Sequence, residues 1–512
     1  MQMQYVAIFH ANLNYAFLTP DKYERTIRAS YEVIFDTFKK HPTQRYVFEA
    51  SGYTIDTMAR LTPDVLQKLR DAIAAGQCEF MGAPYAHPVM ANVPEEDAYW
   101  SCEFSQRCYE KHLGFRPESW WNPECTWKQY VPRAFAKAGA KYLTLDFESY
   151  MNSSDKEYAW VERNRTRDMY WGGHLPWYPL DPECKSLHRP FRDLVPGLHG
   201  FCRSDRLVGK YVGYFLGKVS LADFVDNVKK WSGTDRKGAT VIIADDAEYC
   251  GTTGYYYVKY FRDYDKCFMV DPDAGKKLDK LIREIKKIGQ MVTFKEACEL
   301  EAVPEPYYVE DGYAWHRTYS EVWGSTPEAQ TWDPILAAMR RDYKAAVQPI
   351  AEGRKYAKKF KTLVEDFWFH LTCAANSDGR WPAPPAKTCP FNREWVLHEM
   401  DLAKKALAKL KKAVADIPLP KEKPFREDPN AESGYTLHFT DKPLQTAADM
   451  RKLNIYELSH AIYYFHSMVD SGVEAKVTRG KSMLRAIFDE FDRRGMKGIR
   501  PAAAQPPPRR PR

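Results

Sequence analysis

Two short acidic segments hold the residues best suited to carry chemistry. In the first, Glu124 lies between Trp121 and Trp127, at the end of a short apolar stretch. In the second, Asp245-Asp246-Ala247-Glu248 closes another apolar run. Because burying an unpaired carboxylate costs several kcal/mol, an acid among indole rings is unusual in a core but suits a site that binds sugar rings. Two carboxyl groups at two strand ends are what glycoside hydrolysis requires, and the sequence predicts that chemistry.

The candidate polar groups follow apolar runs that predict strands. His10 and Asn12 follow the first run, His87 the third, Glu124 the fourth and Asp246 a later one. Since the carboxyl ends of parallel strands meet at one face, these side chains are predicted to converge on a single site.

The predicted elements of residues 1–300 alternate between short buried strands and amphipathic helices. This pattern is typical of a parallel α/β sheet covered by helices, and six or seven units fit a barrel or near-barrel. The interval 147–195 has weak periodicity, which predicts a long loop insertion with room for a short hairpin. The predicted strands are Tyr5–His10, Arg45–Glu49, Cys78–Met81, Glu118–Trp121, Tyr142–Asp146, Leu198–Cys202, Thr240–Ala244 and Met291–Thr293. The predicted helices are Tyr23–Lys40, Thr62–Ala75, Glu95–His112, Val131–Ala138, Leu221–Trp231 and Pro272–Lys287.

The rest of the chain is predicted to be largely helical. Apolar residues recur at helical spacing after residue 333, which predicts a helical bundle over 301–415 that completes the cleft. Residues 416–495 are predicted to form a linker and a small helical appendage, and 496–512 a disordered tail. Two or three domains are expected in 512 residues, because single cores stop growing near about 250–300 residues.

Composition limits the compartment and the partners. The net charge of +7 comes largely from 404–423 and the final Arg-Arg-Pro-Arg, so a solvated helix face and a tail are favoured over nucleic-acid binding. Eleven cysteines without CxxC pairing fit reduced thiols in a cytoplasm. Neither a secretory leader nor a membrane span is expected, because no apolar run reaches ~18 residues and the N-terminus enters a strand pattern directly.

Five motifs, in order, resemble those of glycoside hydrolase family 57, whose members act on α-glucans as α-amylases, 4-α-glucanotransferases and branching enzymes. The resemblance covers roughly residues 5–415. Asn12 stands where the family has its second His, and Ala247 stands where the family usually has Gly. The motifs are Phe9-His10-Ala11-Asn12, Gly76–Glu79 with Gly82–Pro88, Trp121-Asn122-Pro123-Glu124-Cys125, Asp245–Gly251, and Val364–Phe369 with Ser377-Asp378-Gly379.

The resemblance implies a fold, a mechanism and a set of sugar contacts. The fold would be an incomplete (β/α)7 barrel followed by a helical bundle. Glu124 would be the nucleophile and Asp246 the general acid/base of a retaining enzyme, with no metal or other cofactor needed. The partner would be an oligo- or polysaccharide. The implied substrate-binding residues are His10, Asn12, Glu79, His87, Trp121, Asp245, Glu248 and Asp366.

Other interpretations of the same residues stay open. Glu124 also fits an acid favoured by a helix N-terminus, and Asp245-Asp246 fits a helix cap. A zinc-dependent hydrolase on a related barrel, of the α-mannosidase or polysaccharide deacetylase type, would use His10 with Asp245 or Asp246. A non-catalytic glycan-binding protein is a third possibility, since Asn12 cannot carry a proton. The linkage, the choice between hydrolysis and transfer, and the oligomeric state are not decided by the sequence.

Overall fold

The computed structural model of the chain describes residues 3–155, 181–234, 238–315, 318–351, 354–381, 390–417, 446–453, 455–470 and 473–495. The chain forms two compact units, Met1–Ile417 and Pro418–Arg512. Residues 301–415, predicted as a bundle, therefore belong to the same compact unit as the sheet. Within the described ranges, no helix has both the length and the apolar character needed to cross a membrane.

The first unit is built on a nine-stranded sheet whose order is β6-β7-β5-β4-β3-β2-β1-β8, with β9 also paired to β1. Its strands are β1 (Met3–Ala11), β2 (Tyr46–Ser51), β3 (Cys78–Ala83), β4 (Ser119–Trp120), β5 (Tyr142–Asp146), β6 (Phe191–Val195), β7 (Leu198–Arg203), β8 (Thr240–Asp246) and β9 (Gly289–Met291). Seven of them, β1 to β5 with β7 and β8, run parallel along this path. In the described residues β7 and β8 are not hydrogen-bonded to each other, so the barrel is incomplete and the predicted fold is confirmed.

The strand register places three titratable residues side by side on adjacent strands. His10 on β1 pairs with Glu49 on β2 and, on its other side, with Asp246 on β8. All six positions of β2 are buried, as expected for a parallel strand covered on both faces, so charged groups there need partners within the protein.

Helices cover the sheet, and some differ from the predicted ones. The predicted helix Tyr23–Lys40 contains a π-helical stretch, Ile27–Glu32. The predicted loop 147–195 begins with a helix, Phe147–Ser154, because the Asp146 side chain caps it by accepting from the Ser149 amide. The loop ends in β6, which pairs antiparallel with β7, and 156–180 lie outside the described residues. The remaining helices up to residue 300 are Tyr23–Thr26, Val33–Lys39, Gly52–Leu61, Pro63–Ala74, Glu95–Leu113, Val131–Lys137, Lys185–His188, Asp205–Phe215, Leu221–Trp231, Tyr256–Phe261, Ala274–Ile288 and Phe294–Cys298.

In the described part of the first unit, four α-helices follow the sheet: Glu321–Gly324, Pro327–Ala351, Arg354–Cys373 and Pro390–Val414. Before them lies a two-stranded ribbon, β10 (Tyr313–Ala314) with β11 (Thr318–Tyr319). The second unit contains the helices Ala447–Met450, Ile455–Asp470 and Glu474–Arg493, which pack around their own apolar core. The predicted tail 496–512 and most of the predicted linker, 418–445, lie outside the described residues.

Candidate active site

A cleft lies at the carboxyl ends of the parallel strands. Its empty volume, which includes open solvent, is about 740 Å³. Its walls carry four carboxylates, two imidazoles, one guanidinium and several aromatic rings. This is the face at which barrel enzymes of this type place their reacting groups. The lining residues are His10, Asn12, Tyr15, Ala16, His87, Trp121, Glu124, Cys125, Arg203, Ala244, Asp245, Asp246, Tyr255, Trp315, Asp378 and Trp381.

Glu124 is presented by a strained turn directly after β4. Its backbone has φ 55° and that of Cys125 has φ 44°, both in the left-handed region that non-glycine residues rarely adopt. The turn is held by Trp315, whose amide donates to the Glu124 carbonyl at 2.8 Å and whose indole N–H donates to the Glu124 carboxylate. Strain of this kind persists where the surroundings fix it, and it aims the Glu124 side chain into the cleft.

Burial, together with the neighbouring acids, favours the protonated form of Glu124. Burial raises the pKa of Glu124 to about 8, and the carboxylates of Asp378 and Asp246 add to this. The Trp315 hydrogen bond and the charge of His10 act in the opposite direction and lower the pKa. Glu124 and Asp246 therefore interact across one cleft, which is what a pair of catalytic carboxyl groups requires.

His10 is held as a cation by a carboxylate beneath it. Its Nδ1 is in direct hydrogen-bond contact with Glu49, a fully buried residue, while its Nε2 lies 4.0 Å from Asp246. Burial alone would lower the pKa of His10, but Glu49, with help from Asp246, raises it to about 10. The Trp121 ring lies on one side of His10 at 5.0 Å and the His87 ring on another at 5.1 Å, between ring centroids.

Asn12 links the first strand end to the helical region that follows the sheet. Its Nδ2 donates to Asp378 at 3.1 Å, and the Ala16 amide donates to the other oxygen of Asp378 at 2.9 Å. The backbone N–H of Asn12 donates to the Glu248 carboxylate at 3.0 Å, and the Tyr31 hydroxyl also donates to that carboxylate. Asn12 thus orders two acids by neutral hydrogen bonds, without adding a charge of its own.

Arg203 is a buried guanidinium on the far wall of the cleft. It donates to Asp146 at 3.3 Å and to Asp205, and it lies 5.8 Å from the centre of the Trp315 ring. Its positive charge is therefore largely matched by the two carboxylates behind it.

Among the residues that the structure describes, three groups of side chains have the spacing of metal ligands. In the cleft itself, the donor atoms of His10, Glu49 and His87 lie within 4.8 Å of one another. The direct contact between His10 and Glu49 already occupies one imidazole nitrogen, which favours a hydrogen-bonded pair over a metal centre. The other two groups are Asp56 with Cys108 and His112, and Asp146 with Glu148 and Asp205.

Most of the predicted site residues come together. Glu248 is buried beneath the cleft and reaches it through Asn12. Glu79 and Asp366 are not brought to the cleft: Glu79 accepts hydrogen bonds from Ser119 and from the Lys295 amide, and Asp366 lies on the exposed face of its helix. The predicted residues that line the cleft are His10, Asn12, His87, Trp121, Glu124, Asp245 and Asp246.

Several residues of the site were not predicted from the sequence. Asp378 belongs to the same family-like motif as Asp366, and the resemblance pointed to Asp366. Glu49 is the only charged residue in a buried strand, Tyr46–Ser51, which is a usable signal. Arg203 ends β7 in the way that Asp246 ends β8, whereas Trp315 is distant in sequence and no local pattern marks it.

A family model described as glycosyl hydrolase family 57 matches residues 1–310, more than half of the chain. The chain therefore belongs to glycosyl hydrolase family 57.

Curated relatives match the chain over part of their length. An α-amylase of Pyrococcus horikoshii is 23% identical over 186 residues, which are 36% of this chain and 29% of that protein. A 4-α-glucanotransferase of Thermococcus kodakarensis is 26% identical over 197 residues, which are 38% of this chain and 29% of that protein. The matched region thus spans less than a third of these relatives.

Solved structures show a similar fold at low identity. A family-57 branching enzyme from Pyrococcus horikoshii superposes with a TM-score of 0.58 at 12% identity, covering 82% of this chain and 96% of that one. A family-57 branching enzyme from Thermococcus kodakaraensis, solved with glucose, gives a TM-score of 0.60 at 12% identity, covering 81% of this chain and 92% of that one. These matches confirm an incomplete barrel followed by helices.

Proposed function

We propose that the chain is a retaining glycoside hydrolase or transglycosylase that acts on α-glucans. One observation carries the proposal: Glu124 and Asp246, from the ends of β4 and β8, line one cleft and interact electrostatically across it. The similarity to an α-amylase and to a 4-α-glucanotransferase supports α-glucans as the substrate class.

In this mechanism Glu124 is the nucleophile and Asp246 the general acid/base. Retaining enzymes hold the two carboxyl groups about 5–5.5 Å apart. Glu124 attacks the anomeric carbon and forms a glycosyl ester, while Asp246 donates its proton to the departing glycosidic oxygen. Asp246, now ionised, then removes a proton from water or from a sugar hydroxyl, which displaces Glu124 and restores both groups.

The mechanism requires an ionised Glu124, although the pKa of Glu124 is raised to about 8. Repulsion between the acids is mutual, so a proton on Asp246 removes one of the charges that raise the pKa of Glu124. His10 and Trp315 lower that pKa further through charge and hydrogen bonding. The proposed mechanism therefore requires that the pair hold one proton and that Asp246 carry it.

The other cleft residues have roles that follow from their chemistry. Trp121 presents an aromatic face beside the reacting centre, and Asn12 and Asp378 present an amide and a carboxylate to sugar hydroxyls. His10, as a cation next to Asp246, stabilises the negative charge that Asp246 gains when it gives up its proton.

Chemical rescue tests the two assignments separately. Glu124→Ala and Asp246→Ala should each lose about three orders of magnitude or more in turnover, with unchanged melting curves. Azide should restore turnover in both variants. With Glu124→Ala the product should be a glycosyl azide of inverted configuration. With Asp246→Ala it should be a glycosyl azide of retained configuration. Full activity in either variant, or the opposite stereochemistry, would overturn the assignment. The exposed Asp366 should tolerate Asp366→Asn without loss, in line with its position outside the cleft.

Product lengths decide between hydrolysis and transfer. Wild-type protein is incubated with maltooligosaccharides of one length, and the products are resolved by size. Products longer than the substrate show transfer, and exclusively shorter ones show hydrolysis. Binding without any product would instead support a non-catalytic glycan-binding protein.

A zinc-dependent hydrolase is a second candidate, favoured by the spacing of His10, Glu49 and His87. Purified protein would then contain about one equivalent of zinc, and a chelator would abolish activity. We expect activity to survive chelation, because the proposed chemistry needs only the two carboxyl groups.

A further inference from the structure

Aromatic rings continue from the cleft onto the protein surface. Tyr15 and Tyr255 line the cleft, and their ring centroids are 5.4 Å apart. Phe17 stacks on Tyr255 with centroids 6.4 Å apart and planes inclined by 12°. Phe17 also contacts Tyr264 at 6.5 Å, and Tyr264 is 55% exposed. These four rings form a path, named here the aromatic path, from the cleft to solvent.

Two phenylalanines at the aromatic path have an unfavourable, left-handed backbone conformation. Phe17 has φ 70° and Phe268, whose ring packs on Tyr15, has φ 52°. Left-handed conformations cost a non-glycine residue roughly 1–2 kcal/mol, and bulky residues adopt them rarely. Such strain persists where packing enforces it and is common at binding sites.

The segment 251–271 that supplies Tyr255 and Tyr264 is tied down along its length. The Phe268 amide donates to the Gly254 carbonyl at 2.7 Å, and the Thr253 amide donates to the Met269 carbonyl at 2.9 Å. The Cys267 thiol contacts the Phe17 carbonyl at 3.8 Å, which joins this segment to the loop after β1. The outer rings are thus presented by a fixed surface rather than by a loose loop.

The chemistry of the aromatic path fits a carbohydrate chain. Tyrosine offers an apolar face and a hydrogen-bonding edge, as does a pyranose ring with its C–H face and its hydroxyls. Further apolar side chains of the same segment are exposed, including Phe261 at 61% and Met269 at 45%. Exposed apolar surface of this kind marks binding sites. Because the path begins at cleft-lining rings, its occupant is the molecule that also enters the cleft.

We propose that Phe17, Tyr255 and Tyr264 form an outer binding site for an α-glucan chain, beyond the sugars held at the reacting centre. This inference rests on the proposed function and adds to it a preference for longer chains, which gain affinity from contacts that short chains do not reach.

Binding by a catalytically silent protein tests this without relying on turnover. Maltotriose and maltoheptaose are titrated calorimetrically into Glu124→Gln, and into the same variant carrying Tyr264→Ala, Tyr264→Phe or Tyr308→Ala. Tyr308 is the matched control, because it is 54% exposed and lies outside the aromatic path. All four proteins should fold alike, since both tyrosines are exposed.

We expect Tyr264→Ala to weaken maltoheptaose binding about tenfold and to leave maltotriose binding unchanged. Tyr264→Phe, which keeps the ring, and Tyr308→Ala should bind both sugars as Glu124→Gln does. Equal effects of Tyr264→Ala at both lengths, no effect at either, or an equal loss in Tyr264→Phe would overturn the inference. The proposed function is judged separately, by products of the wild-type protein, so it can fail or stand independently of this result.

Discussion

Glu49→Gln removes the charge that holds His10 as a cation while keeping the shape of the side chain. Glu49 is fully buried on β2 and contacts His10 Nδ1, so glutamine can still form a hydrogen bond but cannot balance a charge. Without that balance, the effect of burial is opposed only by the charges of Asp246 and Glu248, so the pKa of His10 should fall from about 10 to below neutrality. At neutral pH His10 then becomes neutral, and Asp246 loses its neighbouring cation.

The size of the effect follows from one distance. His10 Nε2 and Asp246 are 4.0 Å apart, which corresponds to about 4 kcal/mol at the effective dielectric constant usual near a protein surface. The Asp246 side chain is 21% exposed, so water screens part of this attraction. About 2 kcal/mol remains as a working value, and this predicts a loss of about 30-fold in kcat/KM at pH 7.

The pH dependence of kcat/KM is the decisive assay. In the wild type the limb caused by His10 losing its proton lies near pH 10, where the raised pKa places it. In Glu49→Gln the pKa is lowered, so activity should fall as pH rises already between about pH 5 and 7. The variant should therefore approach wild-type activity on the acid side and diverge from it with increasing pH.

Glu79→Gln is the matched control, because Glu79 is a half-buried glutamate on the neighbouring strand β3 with partners outside the cleft. It should lower the melting temperature without moving either limb of the pH profile. If Glu49→Gln kept the wild-type profile, or if Glu79→Gln shifted it equally, the charge on His10 would have no role in turnover.

Three further substitutions test other contacts of the cleft. Asp378→Asn removes a charge that raises the pKa of Glu124, so the pH limb assigned to Glu124 should move to lower pH while KM rises. Trp315→Phe removes the indole donor to Glu124, which should raise that pKa and lower kcat about tenfold, measured across the same pH range. Arg203→Met leaves Asp146 without its buried cation and should cost about 3–5 kcal/mol in the free energy of unfolding. Burial raises the pKa of Asp146, so this deficit should shrink at low pH, where the acid takes up a proton; denaturant titrations at pH 5 and 8 would show it.

The barrel could be predicted from the sequence because its strands are buried on both faces. Such strands are continuous apolar runs, and Tyr142–Asp146 is predicted to the residue. β6 is different: it is a half-exposed strand with polar residues and a left-handed Asp193, so no apolar run marks it. The helix Gly52–Leu61 begins with glycine and contains several weak helix formers, which hides it from periodicity.

The site was predictable to the extent that its residues follow strand ends. His10, Glu124 and Asp246 satisfy that rule, and all three line the cleft. The choice between Asp366 and Asp378 depends on which side of a helical region faces the sheet, and this is fixed by long-range packing. Spacing along the chain carries no information on that orientation, so Asp366 was an equally reasonable expectation.

The protonation states of the cleft residues explain why few cations are enough to balance the charges of its acids. Among the lining residues that the structure describes, His87 is kept neutral because burial lowers its pKa, and Arg203 is matched by Asp146. His10 is then the cation left to face the acids, and burial with mutual repulsion raises the pKa of Glu124 to about 8 and of Asp378 to about 7. The cleft therefore retains protons at neutral pH, and the proposed mechanism requires one of them to lie on Asp246 and not on Glu124. A second cation in place of Asn12 would lower those pKa values through its charge, whereas the neutral Asn12 amide lowers the pKa of Asp378 through a hydrogen bond alone.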